Sequence, residues 1–157
     1  MALEIVTVGA KVVTAWETTA GTRPTTGYTE LPDVNQAPEF ELSIDTIDVS
    51  NITDYITRYK KGRQDPGGDV SFTLNHTNAV ITAWNTLCTT AATNYPLGKR
   101  LWFAYVFPDA SDAFFWAGEP AALGSSGISQ NVLNTIPAHC AVNEVYGWAT
   151  APTITTA

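Results

Sequence analysis

The run Leu101-Trp102-Phe103-Ala104-Tyr105-Val106-Phe107 constrains this chain more than any other stretch, because it offers no polar face. Successive side chains of a strand point to opposite sides of a sheet, so this run belongs to a central strand buried on both faces. Such a strand needs a neighbour on each edge and a covering layer on each side. The rest of the sequence supplies candidates. Asp69 to Asn75 alternates strictly, with Val70, Phe72 and Leu74 inward and Asp69, Ser71, Thr73 and Asn75 outward. Glu39 to Val49 alternates too, setting Phe40, Leu42 and Ile44 against Glu39, Glu41, Ser43 and Asp45. Its phase changes near Thr46, where Ile47 and Val49 become the apolar positions, and a bulge there shifts the pattern by one residue.

Further strands are expected over 4–16, with Gly9 as a bulge or bend, and over 113–123, with Gly118 and Pro120 marking a bulge or irregular end. Gly124-Ser125-Ser126-Gly127 reads as a flexible hairpin turn leading into a long strand over 128–145. In that strand Val132, Ile136, Ala138, Cys140 and Val142 share one phase, opposed to Ser129, Asn131, Thr135, His139 and Asn143. One helix is expected over 78–92, capped by Thr77 or Asn78, with Val80, Trp84, Leu87, Cys88 and Ala91 at helical spacing. Residues 17–38 read as irregular, and residues 50–68 as a long loop carrying Tyr55, Arg58, Tyr59, Lys60, Lys61, Arg63 and Asp65. The tail 149–157 is expected to be mobile unless a neighbouring copy holds it. The whole, 1–157, reads as a single mainly-β domain: a β-sandwich or partly rolled barrel flanked by one α-helix.

Composition limits the function classes. Charged residues make up 15% of the chain, against about 25% in ordinary soluble proteins. Threonine fills the gap, with 23 residues against 8 lysines and arginines together. The net charge of −7 argues against a free nucleic-acid binder, which needs basic surface to neutralise phosphates. The charges are segregated: residues 30–57 hold seven acids and no base, while 58–100 hold six bases and two acids. Cys88 and Cys140 exclude a disulfide-dense scaffold, and two buried thiols are expected in preference to one bridge. The N-terminus lacks the basic start and unbroken apolar stretch of a signal peptide, and no apolar run is long enough to span a bilayer, so no membrane insertion is expected.

No catalytic constellation emerges, and no enzymatic activity is expected. His76 and His139 have no Cys or acidic cluster at metal-ligand spacing beside them, so neither a metal nor another cofactor is called for. The glycines of 62–68 lack the Lys-Ser/Thr of a phosphate loop, and 124–127 lacks a nucleophile elbow. Glu39 and Glu41 could serve as a hydrolase's acid pair, but a solvated strand face is the simpler account.

The order of segments carries more information than any one of them. An acidic strand, a long loop, Gly-Asp-Val-Ser-Phe-Thr-Leu at 68–74 and a single helix are followed by Tyr-Val-Phe-Pro-Asp at 105–109, Phe-Trp-Ala-Gly at 115–118 and a closing strand pair. Over roughly residues 30–147 this resembles the tail tube proteins of long-tailed bacteriophages, in a minimal version without an added C-terminal immunoglobulin-like domain. The resemblance implies six-membered rings stacked into a hollow tube. Sheets of neighbouring subunits would line its lumen, and the long loop would reach toward the next ring. It implies as partners further copies of the chain, a tape measure protein, a tail terminator and tail tip or baseplate proteins, in a virion tail assembled in the host cytoplasm. DNA would pass through without specific binding. The lumen would be lined by Glu39, Glu41, Ser43, Asp45, Asp69, Ser71, Thr73 and Asn75, and ring stacking would use Tyr55, Arg58, Tyr59, Lys60, Lys61, Arg63 and Asp65. Acidic and hydroxyl side chains suit such a lumen, because they give passing phosphates nothing to hold. Two alternatives stand beside it. One is the inner tube of a contractile tail, secretion system or gene transfer particle. The other is a monomeric carbohydrate-binding module using Trp102, Trp116 or Trp148.

Overall fold

The structure, a computed structural model, describes residues 4–5 and 8–154. The doubly apolar run forms a strand at Leu101–Val106, paired with Lys11–Trp16 on one edge and Asp112–Pro120 on the other. Leu101 and Phe103 pack into one apolar cluster while Trp102 and Ala104 pack into a second, so both faces are buried as its sequence requires. In chain order the strands are β1 (Lys11–Trp16), β2 (Thr29–Glu30), β3 (Val34–Gln36), β4 (Ser43–Asp48), β5 (Tyr59–Asp65), β6 (Asp69–Asn75), β7 (Leu101–Val106), β8 (Asp112–Pro120) and β9 (Thr135–Thr150). The helix α1 spans Asn78–Asn94.

Seven strands form one sheet in the order β2-β1-β7-β8-β9-β6-β3, every pairing antiparallel. Its two outermost strands, β2 and β3, are separated in the chain only by Leu31, Pro32 and Asp33. A connection of that length spans at most about 14 Å, so the two edges lie side by side and the sheet is rolled into a partly closed barrel. The strap is hydrogen-bonded at both ends: Leu31 N donates to Val12 O at 2.8 Å, and Asn75 N donates to Asp33 O at 2.9 Å. Asp33 also accepts a hydrogen bond from the Thr77 hydroxyl at 2.7 Å, and that hydroxyl in turn accepts from Val80 N at 3.2 Å as the helix N-cap. Strap and helix start are therefore one unit.

The main core holds Phe72, Phe103 and Trp116 from the sheet with Val80 and Trp84 from α1. Phe103 and Trp116 stack with ring centroids 4.3 Å apart, and Trp84 donates its indole N–H to Ala121 O at 2.7 Å. Burying each such ring stabilises the fold by about 2–3 kcal/mol relative to leaving it exposed. The second cluster, on the other side of β7 and β8, is covered by Tyr28 and by Ala151 and Ile154 near the C-terminus. Gly118 permits the close passage of β8 over β9, since a Cβ there would meet Ala141 O at 2.8 Å. The expected irregularity at this glycine is a register shift between Ala117 and Gly118.

Several expected boundaries move. Residues 4–5 are not strand, 6–7 lie outside the described residues, and the turn at Gly9 precedes a strand that begins only at Lys11. The irregular segment 17–38 contains β2 and β3, too short to leave a periodic trace. Gly124–Gly127 is not a hairpin turn but part of a connection running from 121 to 134, and Asn131, at φ 62°, cannot continue a strand there. The tail is held where it is described. Ala149 and Thr150 continue β9, Ala151 N donates to Ser111 O, and Ile154 bridges to Tyr28. Residues 155–157 lie outside the described residues.

Candidate functional site

β4 and β5 stand apart from the barrel as a two-stranded hairpin that pairs with no other described strand. The expected loop 50–68 is thereby corrected: Tyr59 to Asp65 is a strand, and the loop proper is confined to the hairpin tip and the short link before β6. Both faces of β5 are solvated, so it lacks the buried alternation that announces a strand. Asp48 lies opposite Tyr59, Ile47 opposite Lys60 and Thr46 opposite Lys61. The register shifts between Ile44 and Thr46, at the place of the phase change, but the strand expected to bulge is not the one that does. The extra residue lies on β5, where Gly62 approaches Asp45 so closely that a Cβ would sit 2.8 Å from the Asp45 carbonyl oxygen.

The tip is ordered by its own polar groups. Ser50 N donates to Asp48 Oδ1 at 2.9 Å and Asn51 N to Asp54 Oδ2 at 2.7 Å; Arg58 Nε donates to the same Asp54 oxygen at 3.0 Å. The Ser50 backbone and hydroxyl donors hold the Asp48 carboxyl below its usual range. Around this frame the apolar side chains are uncovered. Ile52 and Tyr55 are fully exposed, Ile56 and Tyr59 largely so, and Ile44 and Ile47 are 46% and 54% exposed. The expectation of a core face through Phe40, Leu42 and Ile44 fails on this point, and Glu39 to Leu42 is not strand. Phe40 alone of the three packs into the core, 4.9 Å from Trp116 and 5.6 Å from Phe114 between centroids.

β6 matches its sequence pattern at every position. Val70, Phe72 and Leu74 enter the core, and Asp69, Ser71, Thr73 and Asn75 lie on the opposite face. Across the strand pair, Ser71 is opposite His139, and His139 Nδ1 lies 3.0 Å from Asp69 Oδ1. Asn35 of β3 donates to Asn75 Oδ1 at 3.0 Å. No lysine or arginine occurs on β3, β6 or β9. The eight residues expected to line one surface do not all come together. Glu39 borders a shallow groove with Asp69, Ser71 and Thr73, whereas Ser43 and Asp45 belong to the hairpin and Glu41 to its base. β4 and β6 do not share a sheet.

A larger groove of about 880 Å³ lies over the barrel seam, between Ala10–Val12 and Val34–Glu39, with Tyr105 and Phe107 also lining it. Its rim is anchored where Tyr105 donates its hydroxyl proton to Pro38 O at 3.0 Å. Burial pushes that phenol well above the usual tyrosine range.

One cluster left no trace in the sequence. Glu17, 2% exposed, accepts hydrogen bonds from Arg100 N at 2.8 Å, Gly21 N at 3.3 Å and Trp102 Nε1 at 3.2 Å, and it pairs with the Arg100 guanidinium. Arg100 also pairs with Glu144. These groups are far apart in sequence, and nothing in their local patterns joins them. Of the three tryptophans weighed as sugar platforms, Trp102 and Trp116 are buried; Trp148 is 63% exposed and packs edge-on against Phe114. Both cysteines are unbridged, Cys140 buried and Cys88 partly so. Among the described residues no cluster of three metal-ligating side chains occurs, and no helix is long and apolar enough to cross a membrane.

No protein-family model matches the chain, and no curated protein matches it. Among solved structures, the chain is similar in fold to one in the sixfold-symmetrised cryo-EM structure of the anti-feeding prophage baseplate, with a TM-score of 0.56 and 6% identity. The superposition covers 96% of this chain and 98% of the other, so the two folds correspond from end to end.

Proposed function

We propose that this chain is a structural, non-enzymatic subunit of a phage-tail-like particle, a tail tube protein whose six-membered rings stack into a hollow tube. The observation that carries this reading is the β4–β5 hairpin. An isolated two-stranded hairpin is marginal in water, and this one holds Ile44, Ile47, Ile52, Tyr55 and Ile56 uncovered. A surface of that kind calls for a partner. Head-to-tail contact between identical subunits is heterologous, and where its rotation does not close into a ring it extends as an open stack. The end-to-end likeness to a chain of a sixfold-symmetrised tail-like baseplate supports the same reading.

In this reading Tyr55, Arg58, Tyr59, Lys60, Lys61, Arg63 and Asp65 make the contact between rings. The base-free face of Asp69, Ser71, Thr73 and Asn75, bordered by Glu39, turns to the lumen. Glu41, Ser43 and Asp45 continue it onto the hairpin. DNA crosses such a wall without being held, since no cation is available to release its counterions. The tape measure, terminator and tip or baseplate proteins are the further partners, and the virion tail is the location. A second reading, a ring of the baseplate, is favoured by the source of the structural neighbour. Negative-stain electron microscopy of the purified protein tests both. Long tubes are expected for a tube subunit, isolated rings that do not extend for a baseplate ring, and a strictly monomeric protein at high concentration would overturn both.

A further inference from the structure

The seam groove and the hairpin are complementary, and we infer that the groove of one copy is the seat of the hairpin of the next. This inference rests on the stacking reading and names the surface it uses. The groove exists because the rolled sheet stays open: β2 pairs with β1 only at Val13 and Thr14, and the strap crosses to β3 at one end only. Val12, Val34, Tyr105 and Phe107, with Leu31 of the strap, give it an apolar lining. Its border carries Glu30, Asp33 and Glu39 against a single base, Lys11, which lies 4.0 Å from Glu30. The Tyr105–Pro38 hydrogen bond and the packing of Phe40 on Trp116 and Phe114 hold the far wall in place, so the groove is built before anything enters it.

The hairpin presents the opposite chemistry. Ile52, Tyr55 and Ile56 offer an uncovered apolar tip. Behind it, β5 carries Lys60, Lys61 and Arg63 against Asp65, and among the described residues none of the three bases is in an ion pair. Arg58 is already matched with Asp54 inside the tip. A copy's own hairpin springs from the end of its own groove, just beyond Glu39. Insertion of the tip into the next copy's groove therefore makes every subunit both donor and acceptor. The apolar tip would lie on the lining, and Lys60 and Lys61 would face Glu30 and Glu39.

Charge exchange tests this. Lys60→Glu with Lys61→Glu, and separately Glu30→Lys with Glu39→Lys, should each raise the protein concentration at which tubes first form by at least ~10-fold, because like charges then meet. The chain carrying all four changes should return to within about 3-fold of the original. Thermal melting of the unassembled variants shows that the barrel is intact. Tyr55→Ser, which removes an anchor without touching charge, should raise the threshold and should not be rescued by the groove changes. A four-fold variant no better than either pair would overturn the inference, as would a groove pair with an unchanged threshold. Original protein that never assembles would overturn the stacking reading and remove a second copy as the occupant.

Discussion

Glu17 accepts the indole proton of Trp102 across 85 positions of chain, 3.2 Å from nitrogen to oxygen, in a site almost closed to water. Trp102 belongs to the second core cluster, so this carboxylate pins the segment after β1 to the outer side of the sheet. Burial alone would push its pKa up. The hydrogen bonds from Arg100, through both backbone and guanidinium, from Trp102 and from Gly21 outweigh burial and hold the carboxyl below 4.5.

A carboxyl whose folded pKa is depressed stabilises the fold above its unfolded value and loses that contribution as pH falls through the folded one. Glu17→Gln should therefore lower the melting temperature at pH 7 by about 5–10 °C, the effect of leaving Arg100 and buried donors poorly matched. The gap between variant and original should close as pH drops below 4.5. Calorimetry at pH 7 and pH 3 checks this; an equal gap at both would place the loss in packing instead of charge.

Gly62→Val drives a side chain against the Asp45 carbonyl, which the hairpin cannot move away without losing its register. The barrel does not share that register. Melting of the unassembled protein should shift by no more than about 2 °C, since the hairpin adds no strand to the sheet. Amide exchange across β5 should lose its protection, and tube formation should fail at concentrations where the original assembles.

Phe40→Ala removes the one ring that ties the base of the hairpin to Trp116 and Phe114. A partly buried aromatic truncated to alanine is expected to cost about 2–3 kcal/mol. Urea unfolding should show that loss with an unchanged slope, because the surface exposed on unfolding barely differs.

Glu41→Lys with Asp69→Lys places two cations on surfaces assigned to the lumen. Assembled tubes of the original should not retain duplex DNA at physiological salt. The variant should retain it, and retention should fall steeply as salt rises. Filter binding over a salt series reads this, and equal retention by both proteins would remove lumen charge as the controlling feature.

Legibility differed from element to element for a physical reason. β6, β7 and α1 were readable to within a residue or two because each buries a face against its own chain, and burial imposes a period. Val70, Phe72 and Leu74 form one such row, and Val80 and Trp84 another. β5 was not readable, because Lys60, Lys61 and Arg63 lie on a strand that pairs only with β4 among the described residues and is solvated on both faces. In β4 the alternation suggested a core face that the structure does not bury, since all six of its residues are exposed. Whether Ile44 meets its own core or a surface elsewhere is not written in a local pattern. The Glu17–Arg100–Glu144 cluster was invisible for the complementary reason, since a single buried charge has no period at all.

The three-residue strap from β2 to β3 places the seam of the barrel under the control of the chain itself. A rolled sheet with free ends would present two long, sticky margins to every copy it met. Here the strap joins the margins at one end and leaves the seam open beyond it, and it is fastened to the helix cap through Asp33 and Thr77. The subunit thus carries its uncovered hairpin next to an open apolar groove. In the stacking reading, a molecule so arranged has a direction before it has encountered any neighbour.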